Sequence, residues 1–226
     1  GYYKPTQVGP KLEALAKAYP QLAKSFDFGK SVDGARIVGL EITSNISAPN
    51  VEKPVVVFNA LHHARELMTT EIVMHIAETL LTQFSVDSEI ATWLQTFRIV
   101  LVPQVNPDGH ALVHKGYPWW RKNTAGNTVM YGVDLNRNYP VMWNACQGSS
   151  GVRSDDTYRG PKAASEPETQ AMLNLFEKYR PVANISYHSF SEVILYPFGC
   201  EQRLNTAQNL FRSVGQEMSN AIVDDT

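Results

Sequence analysis

The chain has 226 residues, 43% of them hydrophobic and 19% charged, enough to bury the core of one fairly large domain. A net charge of −2 and no basic cluster longer than two residues argue against nucleic acid or an anionic membrane surface as a partner. No apolar run approaches the ~20 residues that span a bilayer, and Gly1-Tyr2-Tyr3-Lys4-Pro5 is not a signal peptide, so the chain reads as a mature or trimmed product.

Leu12, Leu15, Ala16 and Tyr19 recur at helical spacing and predict a helix over 11–19. Alternating, β-branched residues predict a strand over 35–43, and an apolar run predicts another over 53–61. From Leu67, the positions Ile72, Val73, Ile76, Leu80, Leu81 and Phe84 mark a helix of several turns. A short helix over 87–94 and a strand over 97–103 follow. Asn106-Pro107-Asp108-Gly109 is turn chemistry. From there to about Arg159 the chain is rich in Gly, Asn, Ser, Tyr and Trp with little periodicity. A long irregular stretch inside a compact domain usually carries function, and its aromatic content argues against disorder. A helix over 165–179 begins with Ser165 as N-cap and Glu168 three residues on. A buried strand over 182–187, a short strand over 193–196 and a helix over 204–221 complete the pattern. Strands alternating with helices imply an α/β fold, a mixed and mostly parallel sheet with helices on both faces.

The chemistry gathers at strand ends. Asn59-Ala60-Leu61-His62-His63-Ala64-Arg65-Glu66 turns from an apolar strand into a helix, and His63 and Glu66 can converge on one side of such a turn. An imidazole nitrogen and a carboxylate oxygen are two of the three protein ligands a catalytic zinc needs, although a surface ion pair uses the same two residues. His188 ends the strand over 182–187, where α/β sheets collect their functional groups, so it can supply the third ligand. Arg65, Arg121 and Arg137 lie in loop-like surroundings. They read either as exposed surface charge or as guanidinium forks for a carboxylate or a developing oxyanion. Cys146 and Cys200 either pair or remain buried thiols. The triplets Asn45-Ile46-Ser47 and Asn184-Ile185-Ser186 are not read as glycosylation signals, the second because its apolar run predicts burial.

Six motifs carry a family resemblance. His63-Ala64-Arg65-Glu66, Trp120-Arg121-Lys122 and Asp134-Leu135-Asn136-Arg137-Asn138 come first. Thr157-Tyr158-Arg159-Gly160, His188-Ser189-Phe190-Ser191 and Leu195-Tyr196-Pro197-Phe198-Gly199 follow in the same order as in zinc carboxypeptidases. Over essentially its whole length the chain resembles the A/B branch of that family, especially the bacterial carboxypeptidase T-like members. The resemblance implies one zinc held by His63, Glu66 and His188, with Asp134 orienting His63 and Arg121 polarising the scissile carbonyl. It implies Asn136 and Arg137 as the clamp on the substrate's C-terminal carboxylate, Arg65 along the approach, and Leu195 and Gly199 in the side-chain pocket. It also implies cis peptide bonds at Ser189-Phe190 and Pro197-Phe198. The expected activity is zinc-dependent removal of C-terminal residues from peptides and proteins by a secreted enzyme. The rivals are a zinc amidohydrolase acting on acyl amino acids or peptidoglycan stem peptides, and a non-catalytic zinc- or peptide-binding relative.

Two departures stand out. Phe190 occupies a place where the family often has tyrosine. The family's general-base glutamate, capping tyrosine and pocket-base residue lie further along than residue 226, and Glu192 and Glu201, the nearest acids, match no motif. Residues 1–226 are therefore expected to be a catalytic domain lacking its C-terminal part and inactive alone, the remainder either continuing the same chain or staying associated as its own C-terminal fragment, a second polypeptide.

Overall fold

In the computed structural model, which describes residues 1–48, 52–126, 131–145, 147–200 and 205–224, one five-stranded mixed sheet organises the chain. The strands are β1 (Ala23–Lys30), β2 (Arg36–Ile42), β3 (Val55–Ala60), β4 (Arg98–Val102) and β5 (Ala183–Tyr187), in the spatial order β1-β2-β4-β3-β5. β1–β2 and β2–β4 pair antiparallel, whereas β4–β3 and β3–β5 pair parallel. The helices are α1 (Pro5–Ala18), α2 (Leu67–Gln83), α3 (Ser88–Thr96), α4 (Pro107–His114), α5 (Pro167–Tyr179) and α6 (Gln208–Asp224).

Period-two alternation sends each strand's side chains into two cores. On one face, Val38, Leu40, Ile42, Ile99 and Leu101 meet Leu12 of α1, Val73 and Leu80 of α2 and Leu94 of α3. On the other, Ile37, Val55, Val57, Val100 and Val102 meet Ala171, Met172 and Leu175 of α5. Burying each such aliphatic side chain stabilises the fold by about 1.5–3 kcal/mol. The sheet is thus covered on both faces, as expected, and its parallel half brings the C-terminal ends of β3 and β5 side by side, with Ala60 opposite Tyr187.

Several local expectations change. β1 escaped the sequence pattern because only Ala23 of its eight residues is fully buried. Asn106-Pro107-Asp108-Gly109 is the start of α4, not a free turn: Asn106 caps the helix through Gly109 N–H at 2.9 Å, and Pro107 occupies the first turn, where its missing N–H costs nothing. α5 is capped at Glu166, one residue later than expected, and Ser165 Oγ instead donates to Glu166 Oε1 at 2.6 Å. The strand over 182–187 is not buried: β5 forms the sheet edge, and Ala183, Asn184 and Ser186 are exposed, which also corrects the burial expected of the Asn184 triplet. No strand forms over 193–196. The helix expected from 204 begins at Gln208, and residue 204 lies outside the described residues. Both Ser189-Phe190 and Pro197-Phe198 are cis. Cys200 is disulfide-bonded, and Cys146 lies outside the described residues.

Glu168, in the first turn of α5, has no exposed surface. It accepts Val32 N–H at 3.0 Å and Asn123 Nδ2–H at 3.3 Å. Burial outweighs those bonds and raises its pKa from 4.5 to about 7. Between these two values the unfolded chain binds fewer protons at this site than the folded one, so stability must fall as pH rises through that window. We expect the wild type's stability relative to Glu168→Gln to drop by about 3 kcal/mol across it. Urea unfolding of both proteins at the two ends of the window measures this, and a pH-independent difference would contradict it.

Candidate metal centre and substrate cleft

The site begins with backbone. β3 ends at Ala60, and the next residue, Leu61, adopts φ 58° while fully buried. A bulky residue in the left-handed region costs on the order of 1–3 kcal/mol and persists only where its surroundings hold it. Here Thr69 Oγ1 accepts Leu61 N–H at 3.2 Å, and the Leu61 carbonyl accepts Asn106 N–H at 3.1 Å. The kink turns His63 and Glu66 back over the sheet, toward His188 directly after β5.

The three side chains meet. His63 Nδ1 lies 2.8 Å from Glu66 Oε1 and 3.1 Å from His188 Nδ1, and His188 Nδ1 lies 2.9 Å from Glu66 Oε2. His63 Nε2 sits 3.2 Å from Asp134 Oδ1. A neutral imidazole that donates Nε2–H to a carboxylate presents a lone pair at Nδ1. His63 therefore aims a lone pair at a carboxylate oxygen and at a second imidazole nitrogen. Acceptors packed this closely call for a cation among them. A tetrahedral zinc with Zn–N near 2.0–2.1 Å would hold two nitrogens roughly 3.3 Å apart, close to the separation seen. Among the described residues, these are the three whose ligand atoms cluster in this way.

Asp134 is completely buried. Oδ1 also accepts Asn136 N–H at 3.0 Å, and Oδ2 accepts Arg121 Nε–H and Nη2–H at 3.0 and 2.9 Å. Burial acts to raise its pKa, and His63, Arg121 and Arg137 together keep it lowered. The third nitrogen of the Arg121 fork, Nη1, lies 4.0 Å from Glu66 Oε1 and thus borders the triad. The Arg121 carbonyl accepts Ala64 N–H at 3.0 Å, so the Arg121 segment is laced to the His63 turn. This packing needs glycine at 132, where a Cβ would lie 2.0 Å from the Asn123 carbonyl oxygen.

The remaining expected residues make no hydrogen bond to the triad among the described contacts. Asn136 is exposed on a 3₁₀ turn, Leu135–Arg137. Arg137 donates Nε–H to Gly148 O at 2.8 Å and Nη1–H to Asn136 O at 3.2 Å. Arg65 reaches Trp119 O at 3.0 Å and Asp156 Oδ2 at 3.1 Å. Leu195 and Gly199 line a cavity of about 340 Å³ together with Met142, Tyr196 and Phe198. Of these, Met142 was missed from sequence, because it lies outside the run 195–199 that was singled out there.

His62 was missed too. It is buried beside the triad, with Nε2 2.8 Å from Tyr139 Oη and its ring 5.9 Å from that of His188. Burial, then repulsion from His188 and His63, lowers its pKa to about 3, so it stays neutral. Glu192 is exposed, and Glu201 lies outside the described residues.

Loss of either imidazole should abolish tight metal binding, and Asp134→Asn should weaken it by ~10–100-fold while the fold persists. Metal analysis and competitive chelation on His63→Ala, His188→Ala and Asp134→Asn test this. Stoichiometric zinc in both alanine variants would remove these residues as ligands.

The chain's wider similarities agree with this geometry. Residues 10–226 match the family model described as zinc carboxypeptidase. The chain is 33% identical over 194 residues to metallocarboxypeptidase A of Trichophyton tonsurans, covering 83% of this chain and 45% of the relative. It is 32% identical over 201 residues to zinc carboxypeptidase A 1 of Drosophila melanogaster, covering 88% and 46% respectively. It thus spans about half the length of the curated relatives it matches. Carboxypeptidase A from Helicoverpa armigera superposes on all of this chain with a TM-score of 0.90 at 29% identity, over 55% of its own length. Thrombin-activatable fibrinolysis inhibitor shares the fold, with a TM-score of 0.90 at 22% identity, over 99% of this chain and 57% of its own. This chain belongs to the zinc carboxypeptidase family.

Proposed function

We propose that residues 1–226 form the metal-binding part of the catalytic domain of a secreted exopeptidase that removes C-terminal residues from peptides and proteins. The observation that carries this reading is the junction at Asp134, which bonds the cation-seeking triad through His63 and a guanidinium through Arg121. A metal centre with an arginine fork on its border suits a substrate that brings a polarisable carbonyl and a carboxylate together.

His63, Glu66 and His188 would hold the zinc, which supplies a Lewis acid and a water acidified toward neutrality. Asp134 keeps the proton on His63 Nε2, so Nδ1 remains a ligand. Arg121 offers Nη1 to the oxygen on which negative charge develops. Asn136 and Arg137 take the substrate's terminal carboxylate, Arg65 lines the approach, and the cavity at Leu195 and Gly199 receives the terminal side chain. A guanidinium matched to a terminal carboxylate disfavours an internal peptide bond, which offers it no such partner. Among the described residues, Glu66 and Asp134 are the carboxylates within hydrogen-bond distance of the two imidazoles, and both are committed. The proton shuttle is therefore assigned to a further segment of the same protein.

The face beside β5 supports such a segment, joined to this chain or held as a separate fragment. Phe190 and Leu195 are 95% and 86% exposed, and Val182, Val193 and Leu210 are also open to solvent. Apolar exposure of this kind next to an open sheet edge marks a contact surface. The disulfide at Cys200 supports an oxidising, extracellular setting.

The full-length, zinc-loaded protein should release the last residue of a peptide with a free C-terminus and leave its C-terminal amide intact. Equal cleavage of acid and amide would defeat the exopeptidase reading. Arg121→Ala should lower kcat by ~10²–10³, whereas Arg137→Ala should chiefly raise KM and erase the preference for the free acid. Full kcat in Arg121→Ala would take that residue out of its role.

A further inference from the structure

Arg121 and Arg137 sit on separate irregular segments, and each is followed closely by a buried asparagine, Asn123 and Asn138. Both asparagines lead to one residue. Asn123 Nδ2 donates to Glu166 Oε2 at 2.7 Å, and Asn138 Oδ1 accepts Glu166 N–H at 3.1 Å. Ser165 Oγ closes the loop, accepting Asn138 Nδ2–H at 2.9 Å and donating to Glu166 Oε1 at 2.6 Å. The Asn138 carbonyl also accepts Ala164 N–H at 2.7 Å. Glu166 is buried at the residue that precedes α5, whose Ala171, Met172 and Leu175 are embedded in the core.

The geometry is that of a spacer. Asn123 is held on its other side as well, its Oδ1 accepting Val133 N–H at 2.8 Å and Ala125 N–H at 3.1 Å. Glu166 therefore ties the start of a core helix to both cation-bearing segments, to Asn123 through its carboxylate and to Asn138 through its backbone N–H and, by way of Ser165 Oγ, its carboxylate. It touches neither the triad nor the cavity at Leu195 and Gly199.

Resting on the exopeptidase reading above, we infer that Glu166 is a positioning residue that, from the side opposite Asp134, sets the separation of Arg121 from Arg137. That separation sets how many bonds lie between the scissile carbonyl and the terminal carboxylate, and so selects C-terminal α-amino acids over β-amino acids. One extra methylene moves the carbonyl away from Arg121 when the carboxylate is seated at Arg137, and a misplacement near 1 Å can cost about 10²-fold in rate.

The test compares two peptides identical except for a C-terminal α-alanine or β-alanine, on full-length zinc-loaded protein. Two conservative variants leave the Glu166 N–H to Asn138 Oδ1 in place. Glu166→Asp retains the carboxyl group but withdraws it from Asn123 by one methylene; Glu166→Gln retains an oxygen at full reach. Thermal unfolding and zinc content verify that both are folded and loaded. The wild type should prefer the α-terminus by about 10²-fold in kcat/KM. Glu166→Asp should reduce that ratio by about tenfold, mainly through kcat on the α-substrate, and Glu166→Gln should preserve it. An unchanged ratio in Glu166→Asp, or an equal loss on both substrates, overturns the positioning role. So does a wild type that cleaves both termini equally well. A wild type that releases neither residue, nor any other free C-terminal residue, overturns the exopeptidase reading and this inference with it.

Discussion

One buried carboxylate holds the functional half of this molecule together. Asp134 has no contact with water, so its charge has to be met within the protein, and four N–H groups meet it, from His63, Asn136 and twice from Arg121. Removing one partner of such a buried pair typically costs about 3–5 kcal/mol, because the remaining charge is left uncompensated. That cost links features that otherwise lie far apart in sequence. The tautomer of a ligand on the β3 turn, the aim of a guanidinium on a separate loop and the 3₁₀ turn bearing Asn136 and Arg137 all answer to the same two oxygens. Neither imidazole nor guanidinium can drift without exposing the other's partner.

The sheet supplies the second constraint. Because β3 and β5 are parallel neighbours in register, the residues that follow Ala60 and Tyr187 emerge at the same edge. His188 needs no further backbone feature to reach the site. His63 does, since two residues separate it from Ala60, and the left-handed Leu61 is what folds that short span back. The strain is confined to one buried residue pinned by Thr69 and Asn106, while the strand before it and α2 after it remain regular.

Much of this was legible in the sequence. The His63, Glu66 and His188 set could be read because ligand-type side chains sit just past apolar runs of strand character, and the order of six motifs supplied the family. The scaffolding beneath was not legible. Asn123 meets Glu166 across 43 positions and Asn138 meets it across 28, and no local pattern announces either contact. Asn106-Pro107-Asp108-Gly109 was ambiguous for a physical reason: the side-chain acceptor that closes a turn is the same group that caps a helix. β1 carries lysines, an aspartate and a glycine among half-buried positions, so alternation is blurred. β5 went the other way. Its Ile185 and the neighbouring Val182 suggested an interior strand, but whether an edge is covered depends on residues outside the strand.

That edge has a consequence for backbone amides. In a parallel ladder a given residue turns both its N–H and its C=O toward the same neighbour, and the next residue turns both away. Along Ala183–Tyr187, the N–H and C=O of alternate residues are engaged by β3 while those of the residues between them face outward from the sheet. Deuterium uptake by residues 1–226 should therefore be uneven residue by residue within this one strand, slow at the inward N–H groups and rapid at the outward ones. Any polypeptide that added itself as a sixth strand would slow the second set and leave the first unaltered. The exchange pattern of five residues thereby reports whether this edge is open or occupied, with no need to see what occupies it.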